Sequence, residues 1–480
     1  MTLKEKTISG LIWSVGQQFG SKLISFFITI VLARILTPAE FGLIAMLSVF
    51  ISIGNTLLDS GLTSSLIRTA DADQKDFSTV FYFNLIGSTI LYFILFFCAP
   101  LISSFYHQQV LTTIIRVYSL IFILNAFFGV QNTCLVKEMR FKTQTNIQIP
   151  SSLAGGILGI ILAKTGYGVW SLVWMSLFTT LLSTILHWIY SDWRPALIFD
   201  KTSFKRHFDF GYKMTLSGIL DTLYQNIYTL IIGKFYSATQ LGYYSRADSI
   251  SQLPTANISA AVNKVTYPMF SEISHNNVQL KRVNKKVMQQ VIFWNAPILI
   301  FMSVAAQPLF SFLLTDKWLP AVPYFQILCI AGVMQPLHAY NLNILKVKGR
   351  SDLFLKLEVI KKALSVIGIL SVIPFGIYGL LYFQLSFNFI GFYINTIYSG
   401  KMINYPVKEQ IFDILPTIIL AVFIGISTYL LDSFLVDSFN INNLTRIIIS
   451  ALFYALTYLS ISNLINLTAI IDFKQLILKR

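Results

Sequence analysis

Arg34-Ile35-Leu36-Thr37-Pro38-Ala39-Glu40-Phe41-Gly42-Leu43 returns in altered form 200 residues later, as Lys234-Phe235-Tyr236-Ser237-Ala238-Thr239-Gln240-Leu241-Gly242-Tyr243. Each copy follows one apolar stretch and opens the next. A second pair, Arg140 and Gly166 against Arg350 and Gly376, is offset by 210. Each match is short. Two in the same order at nearly equal offsets mark an internal duplication, the pattern of a membrane transporter assembled from two related halves.

The duplication matters because hydropathy alone leaves the helix count open. The chain of 480 residues is 55% hydrophobic and only 12% charged, with a mean hydropathy of +0.66; soluble domains carry roughly a quarter charged residues. Apolar stretches long enough to span a bilayer fall at 8–32, 41–58, 79–104, 113–136, 147–163, 168–190, 211–232, 245–267, 291–314, 321–345, 357–374, 376–398, 412–431 and 444–467. The seventh, eighth and eleventh are interrupted by polar or charged residues. The second repeat opens at the seventh and eighth, so these correspond to the first and second. The expected fold is an all-α polytopic membrane protein of about 14 transmembrane helices. Two six-helix bundles run parallel about an axis along the membrane normal, followed by two C-terminal helices. The boundaries read as a bundle at 1–190, a basic linker at 191–210, a bundle at 211–400, and the extra helices with a tail at 401–480.

Charge then orients the chain. Alternate gaps between the stretches, with both termini, hold 27 of the 36 Lys and Arg residues, among them Lys4, Lys6, Lys137, Arg140, Lys205, Lys281 and Arg350. The other gaps hold only Arg34, Lys164, Lys234, Lys317 and Arg446. Short cytoplasmic loops retain Lys and Arg, so both termini are expected in the cytoplasm. The formal charge of +15 follows from loops that face anionic lipid and does not indicate a nucleic-acid partner. The first apolar run is too long for a signal peptide and lacks a small-residue cleavage site, so it is expected to remain as a helix.

Motifs that announce chemistry are missing. Gly233-Lys234 is followed by Phe235, which breaks any phosphate-loop pattern. Cys98, Cys134 and Cys329 sit singly, and His107, His187, His207, His275 and His338 form no metal-binding pair. Packing or surface roles are expected for all of them. The chain reads as neither an enzyme nor a metalloprotein; no cofactor is expected, and coupling to a proton or sodium gradient stays open.

Polar residues inside the spans carry the functional signal, because they are costly in lipid. In the eighth stretch Asp248, Gln252, Thr255, Ser259, Asn263 and Thr266 share one helical face, with Asn257 and Lys264 on an adjoining stripe. The seventh has Ser217, Asp221, Gln225 and Tyr228. Such faces line a wet cavity or a protein seam. Their place at the start of the second half, beside the symmetry axis, favours the cavity. Lys22, midway along the first stretch, is the costliest cation and is expected to face that cavity. Asp221 has two readings: a proton or sodium site, or the buried partner of a cation such as Lys22. Lys264 and Asp59 lie near the inner interface, where snorkelling competes with a cavity role. Gly16 with Gly20, and Gly155 with Gly159, are expected to permit close helix contact. Recessed cations in excess over acids suit an anionic substrate, since Arg and Lys are the usual partners of phosphate. A cavity between two halves and flanked by lipid suits a polar head on a hydrocarbon tail.

Several motifs resemble a known family. Leu3-Lys4-Glu5-Lys6-Thr7-Ile8-Ser9-Gly10, Trp13, Leu32-Ala33-Arg34-Ile35-Leu36 and Glu40-Phe41-Gly42-Leu43 resemble the polysaccharide exporters of the multidrug/oligosaccharidyl-lipid/polysaccharide superfamily, in particular the Wzx-type lipopolysaccharide and colanic-acid branch. Asp59-Ser60-Gly61-Leu62, Val265-Thr266-Tyr267-Pro268-Met269-Phe270 and Asp316-Lys317-Trp318 with Pro323 and Leu328-Cys329 are similar to that branch, and the likeness fades after about Pro406. The resemblance implies a V-shaped pair of bundles in the bacterial inner membrane that works by alternating access. It implies a flippase for oligosaccharide units on undecaprenyl pyrophosphate, with a polysaccharide polymerase and a chain-length regulator as partners. The pyrophosphate would meet Lys22 and Lys264, with Arg34 and Arg246 as outer contacts; no family motif assigns these roles, and the whole site, with Asp221, Gln225, Gln252, Asn257, Ser259 and Asn263, rests on position and charge alone.

Rival readings differ in what they require. A cation-coupled drug antiporter of the same superfamily requires acids to dominate the cavity, whereas cations at least match them here. A membrane-embedded polymerase requires a large outer loop, and no outer gap approaches that size. Topology is open to direct test. Lys164→Cys and Asp437→Cys are expected to react with an impermeant thiol reagent applied from outside, and Lys205→Cys and Arg350→Cys to remain unlabelled; the reverse pattern overturns the orientation.

Overall fold

Backbone N–H and C=O groups find no water in the hydrocarbon layer, so a chain this apolar must satisfy them within helices. In a computed structural model, 89% of the described residues are helical and no strand occurs among them. The structure describes residues 3–478 except Ser60, Ala70 and Asn440. Ser60, Lys479 and Arg480 therefore lie outside the described residues, as do the side chains of Lys4, Lys6, Asp59 and Lys213.

The chain forms two compact units, Met1–Gly242 and Tyr243–Arg480. The first contains α1 (Leu3–Ile35), α2 (Pro38–Asp59), α3 (Leu62–Arg68), α4 (Gln74–Tyr106), α5 (Val110–Tyr118), α6 (Leu120–Lys137), α7 (Phe141–Lys164), α8 (Val169–Tyr190), α9 (Lys201–Gln225), α10 (Ile227–Phe235) and the first turn of α11 (Ala238–Glu272). The second continues α11 and adds α12 (Asn277–Val304), α13 (Ala306–Leu313), α14 (Val322–Gly332), α15 (Gln335–Val347), α16 (Ser351–Val372), α17 (Gly376–Ile403), α18 (Val407–Phe439), α19 (Asn443–Leu464) and α20 (Thr468–Leu478). Each of the sequence windows falls on helix, some broken by a turn. Among the described residues, 11 helical stretches are long and apolar enough to cross a membrane. One of them, Ser351–Ile403, holds both α16 and α17. Neither α9 nor α11 is among the 11, because their polar faces dilute the hydropathy. Charge alternation and duplication, not hydropathy, make the expected number 14.

The sequence repeat is also a repeat of local geometry. At the start of α2, Glu40 Oε2 accepts from the Thr37 backbone N–H (2.6 Å) and hydroxyl (2.9 Å). At the start of α11, Gln240 Oε1 accepts from the Ser237 N–H (3.4 Å) while Ser237 Oγ accepts from the Gln240 N–H (3.2 Å); α11 thus opens on both halves of a capping box, and α2 on the half in which the acidic side chain reaches back. The second pair agrees as closely. The Arg140 N–H donates to Leu135 O (2.8 Å) and the Arg350 N–H to Leu345 O (2.9 Å). Gly166 and Gly376 take positive φ values of 88° and 75°.

Within the first unit these two helix starts touch backbone to backbone. A Cβ at Gly42 would collide with the Ala238 carbonyl oxygen, and one at Gly242 with the Pro38 carbonyl oxygen. Glycine is required here for close approach, not for an unusual φ. The same logic holds for α7, where Gly155 and Gly159 lie against Thr179 and Met175 of α8, and Gly156 lies against Ile28 of α1. Gly16 departs from expectation, since a Cβ there would meet nothing within 4 Å.

In the second unit several cations counted as loop charges belong to a helix. Lys281, Lys285 and Lys286 lie on the first turns of α12 and pair with Glu409 (2.6 Å), Asp413 (2.7 Å) and Asp472 (2.7 Å). These pairs fasten α18 and α20 to α12. Further along, Arg446 of α19 grips Asp432 of α18 through two hydrogen bonds, 3.1 and 2.7 Å, the fork geometry of a strong ion pair. Phe293, Tyr454 and Tyr458 fill the core beneath.

Gly42→Ala drives a methyl group into a carbonyl that cannot rotate away. Overpacking of this kind costs about 1–3 kcal/mol, so purified Gly42→Ala is expected to unfold at a lower temperature than the parent protein. Gly16→Ala is expected to leave the transition unchanged. Thermal unfolding in detergent measures both.

Candidate functional site

The stretch between α8 and α9, the start of the basic linker, is bonded to its neighbours as a strap. The Arg194 guanidinium donates to the carbonyls of Trp188 (2.5 Å), Ser191 (2.6 Å) and Trp193 (2.8 Å), which satisfies the end of α8. The strap then runs along the first turns of α4. Gln74 Nε2 donates to Arg194 O (2.6 Å), and the backbone N–H groups of Ala196 and Asp200 donate to Ser78 Oγ and Thr79 Oγ1, each at 3.0 Å. Asp200 caps α9 by accepting from the Ser203 N–H at 2.7 Å. That cap explains why α9 starts at Lys201, ten residues before the window at 211.

Two turns into α9, a cluster missed by sequence reading forms. Asp76 accepts from Arg206 and from His207 Nε2 (3.2 Å), and His207 Nδ1 accepts from the Ser65 hydroxyl (2.7 Å). A carboxylate only accepts, so the imidazole proton belongs on Nε2 and the serine proton points at Nδ1. Ser65, Asp76 and His207 are 1%, 2% and 0% exposed. The order of contacts resembles a hydrolytic relay, but no surface is left for a substrate; the cluster clasps α3, α4 and α9 together. Burial pushes the His207 pKa below the usual imidazole range, and the Asp76 carboxylate restores only part of that shift.

The residues expected to hold cargo fall in both units. In the first, Lys22 on α1, Arg34 at the end of α1, and Asp221 and Gln225 on α9 are all exposed. Tyr228 lies beyond a break at Asn226, on α10, so it does not continue their stripe. Thr222 Oγ1 and Thr56 Oγ1 of α2 are 2.9 Å apart beside Asp221. In the second unit, the polar face of α11 divides. Thr255 and Thr266 are buried at 1% and 2% exposure, Thr255 lying against Gly332 of α14. These two belong to a packing seam. Arg246, Gln252, Asn257, Ser259 and Asn263 are half-buried, and Lys264 is exposed. Asn257 donates to the carbonyl of Leu253 on its own helix (2.7 Å).

Asn263 has a partner on another element: its Oδ1 accepts from Asn343 Nδ2 of α15 at 3.1 Å. Both line a polar cavity of about 530 Å³ with Tyr267, Lys346, Phe354 and Glu358. Lys346 lies in the last turn of α15. Its ammonium lies 4.5 Å above the Phe354 ring, while Glu358 Oε1 accepts from Lys361 Nζ at 2.5 Å. Each unit also has an apolar cleft: about 500 Å³ between α6, α7 and α8, lined by residues such as Leu124, Leu162 and Trp174, and about 350 Å³ in the second unit, lined by Ile300, Ile330, Val422 and Tyr429. No group of His, Cys, Asp and Glu that could hold a metal ion occurs among the described residues.

The fold is that of a class of membrane transporters. The lipid II flippase MurJ in an inward closed conformation superposes with a TM-score of 0.75 at 14% identity, over 95% of this chain and 98% of that one. An inward-facing multidrug resistance transporter of the MATE family gives 0.59 at 16% identity, over 80% and 95%. Residues 31–323 match the polysaccharide biosynthesis protein family, and the chain belongs to that family. The teichuronic acid biosynthesis protein TuaB of Bacillus subtilis is 28% identical over 62% of each chain, so this chain spans less than two thirds of that relative. The lipopolysaccharide biosynthesis protein WzxC of Escherichia coli is 25% identical over 76% of this chain and 75% of its own.

The clasp has a pH signature. Above about pH 6.5 the imidazole is neutral in folded and unfolded chains alike. Acidification protonates the unfolded chain first, because the folded pKa is lowered, so stability falls as pH drops below about 6.5 and levels off below the folded value. His207→Ala leaves Ser65 and Asp76 short of a partner and is expected to cost about 2 kcal/mol at pH 7.5. Unfolding measured from pH 7.5 to 5.5 should show that deficit shrinking; a constant deficit places no proton sensitivity at His207.

Proposed function

We propose that the protein is a flippase that carries oligosaccharide repeat units on undecaprenyl pyrophosphate across the bacterial inner membrane, from the cytoplasmic to the outer leaflet, for the synthesis of a cell-surface polysaccharide. The observation that carries this reading is membership of the polysaccharide biosynthesis family together with a fold shared with a lipid flippase. Relatives named for teichuronic acid, lipopolysaccharide and succinoglycan biosynthesis support it.

The chemistry fits an amphipathic anion. Lys22 and Lys264 supply charge-assisted hydrogen bonds to the pyrophosphate, with Arg34 and Arg246 as outer contacts. Gln225, Gln252, Asn257, Ser259 and Asn263 offer neutral donors and acceptors for hydroxyl groups. The apolar clefts suit the hydrocarbon tail. The protein acts by alternating access and not as an enzyme; both termini are cytoplasmic, and a proton or sodium gradient drives the cycle through Asp221. A polysaccharide polymerase and a chain-length regulator act on what it delivers.

Lys22→Ala and Lys264→Ala are expected to reduce translocation of lipid-linked oligosaccharide at normal protein abundance, and Lys22→Arg to retain part of it, because arginine keeps the charge but changes the donor geometry. Accumulation of the inward-facing lipid intermediate in cells carrying each variant is the measurement. Rescue by Lys22→Ala with Asp221→Ala would make Lys22 a charge partner and remove it from the cargo site. Reconstituted parent protein that moves no lipid-linked oligosaccharide under any gradient would overturn the flippase reading.

A further inference from the structure

We propose that the polar cavity bounded by α11, α15 and α16 is a saccharide subsite, which holds an uncharged sugar of the cargo and not its phosphates. The proposal rests on the flippase reading and adds where the carbohydrate is recognised.

The wall chemistry separates the two ligand classes. A pyrophosphate site gathers cations and backbone N–H groups and excludes carboxylates. Here the lining residues carry one cation, Lys346, and one carboxylate, Glu358. Glu358 is already bonded to Lys361, and Lys346 is held above Phe354. A phosphate entering this wall would meet a single lysine beside a carboxylate, not a cluster of cations.

A sugar asks for something different: planar groups that both donate and accept, set beside an apolar face. Asn263 and Asn343 provide two amides, each with a carbonyl acceptor and an NH2 donor, and their mutual bond engages the Asn343 NH2 and the Asn263 carbonyl. That bond locks the two amides in register, while Asn343 is only 7% exposed, so the pair is preorganised. Tyr267, 46% exposed, and Leu342 supply the apolar face for ring C–H groups. Polar and apolar residues together line a volume of about 530 Å³, within the usual range for small-molecule sites. The apolar clefts of the two units lack this mixture.

The test uses the full chain in lipid nanodiscs, with free glucose, galactose and N-acetylglucosamine as probes in saturation-transfer difference NMR, and inorganic pyrophosphate as competitor. At least one sugar is expected to receive saturation on its ring protons. Asn343→Leu and Tyr267→Ala are each expected to weaken its binding about tenfold, the loss of one good polar or packing contact. Pyrophosphate is expected not to displace it. Because Asn343 is buried, Tyr267→Ala, at an exposed side chain, carries the test if Asn343→Leu fails to fold. Absence of saturation with all three sugars, displacement by pyrophosphate, or unchanged binding in the folded variants would each overturn the subsite. Translocation of lipid-linked oligosaccharide by the same preparation keeps the two readings apart. Transport without sugar binding removes the subsite and leaves the flippase; sugar binding without transport removes the flippase.

Discussion

Lipid offers a polar group no partner, and the fold follows from that constraint. It forces the backbone into helices and makes close helix contact depend on small residues. The reciprocal approach of Gly42 and Gly242 to the carbonyls of Ala238 and Pro38 is where these demands meet. At both helix starts, the side chain three residues on accepts from the backbone N–H that precedes the helix, and both carry glycine where the two backbones touch. The duplicated motif is therefore a structural device: it lets two related helix starts share one small volume.

Charge obeys the same constraint at the helix ends. Cations near the start of α12 find acids on α18 and α20, and Arg446 finds Asp432. The strap between α8 and α9 shows how far this goes in a segment whose composition suggests a loose loop. Its carbonyls and N–H groups are taken up by Arg194, Gln74, Ser78 and Thr79. Its helical continuation delivers His207 to a carboxylate and a hydroxyl. A conformational change that moves α9 against α4 has to break or carry this clasp, since a half-satisfied buried network is worse than none.

Polar residues inside the spans divide into two kinds. Thr255 and Thr266 are turned into their own unit and behave as small packing residues. Gln252, Ser259 and Asn263 keep exposed surface, which in lipid would be unfavourable and beside a polar cargo is useful. Asn263 goes further, because Asn343 fixes its orientation. Preorganisation of this kind lets a site bind without first ordering its own side chains.

Apolar run length, charge alternation and a decapeptide repeated at an offset of 200 residues are signals written along one dimension. They were enough to read the helical class, the order of the elements and the equivalence of α9–α11 with α1–α2. The matched positive φ at Gly166 and Gly376 shows that even a two-residue match reported a shared turn. The polar face of α11 was legible as periodicity, but not its division, because 3.6-residue spacing says which residues share a side and not what that side meets. Gly16 failed for the same reason: a GxxxG pattern permits contact without supplying a neighbour. The start of α9 was misplaced because Lys201–Met214 is too charged for hydropathy to register, and its cap depends on a single aspartate. His207 gave no signal at all. Its partners Asp76 and Ser65 lie 131 and 142 residues away, and Asn343 lies 80 residues from Asn263. Such pairs arise only when helices pack, and the packing alone decided them.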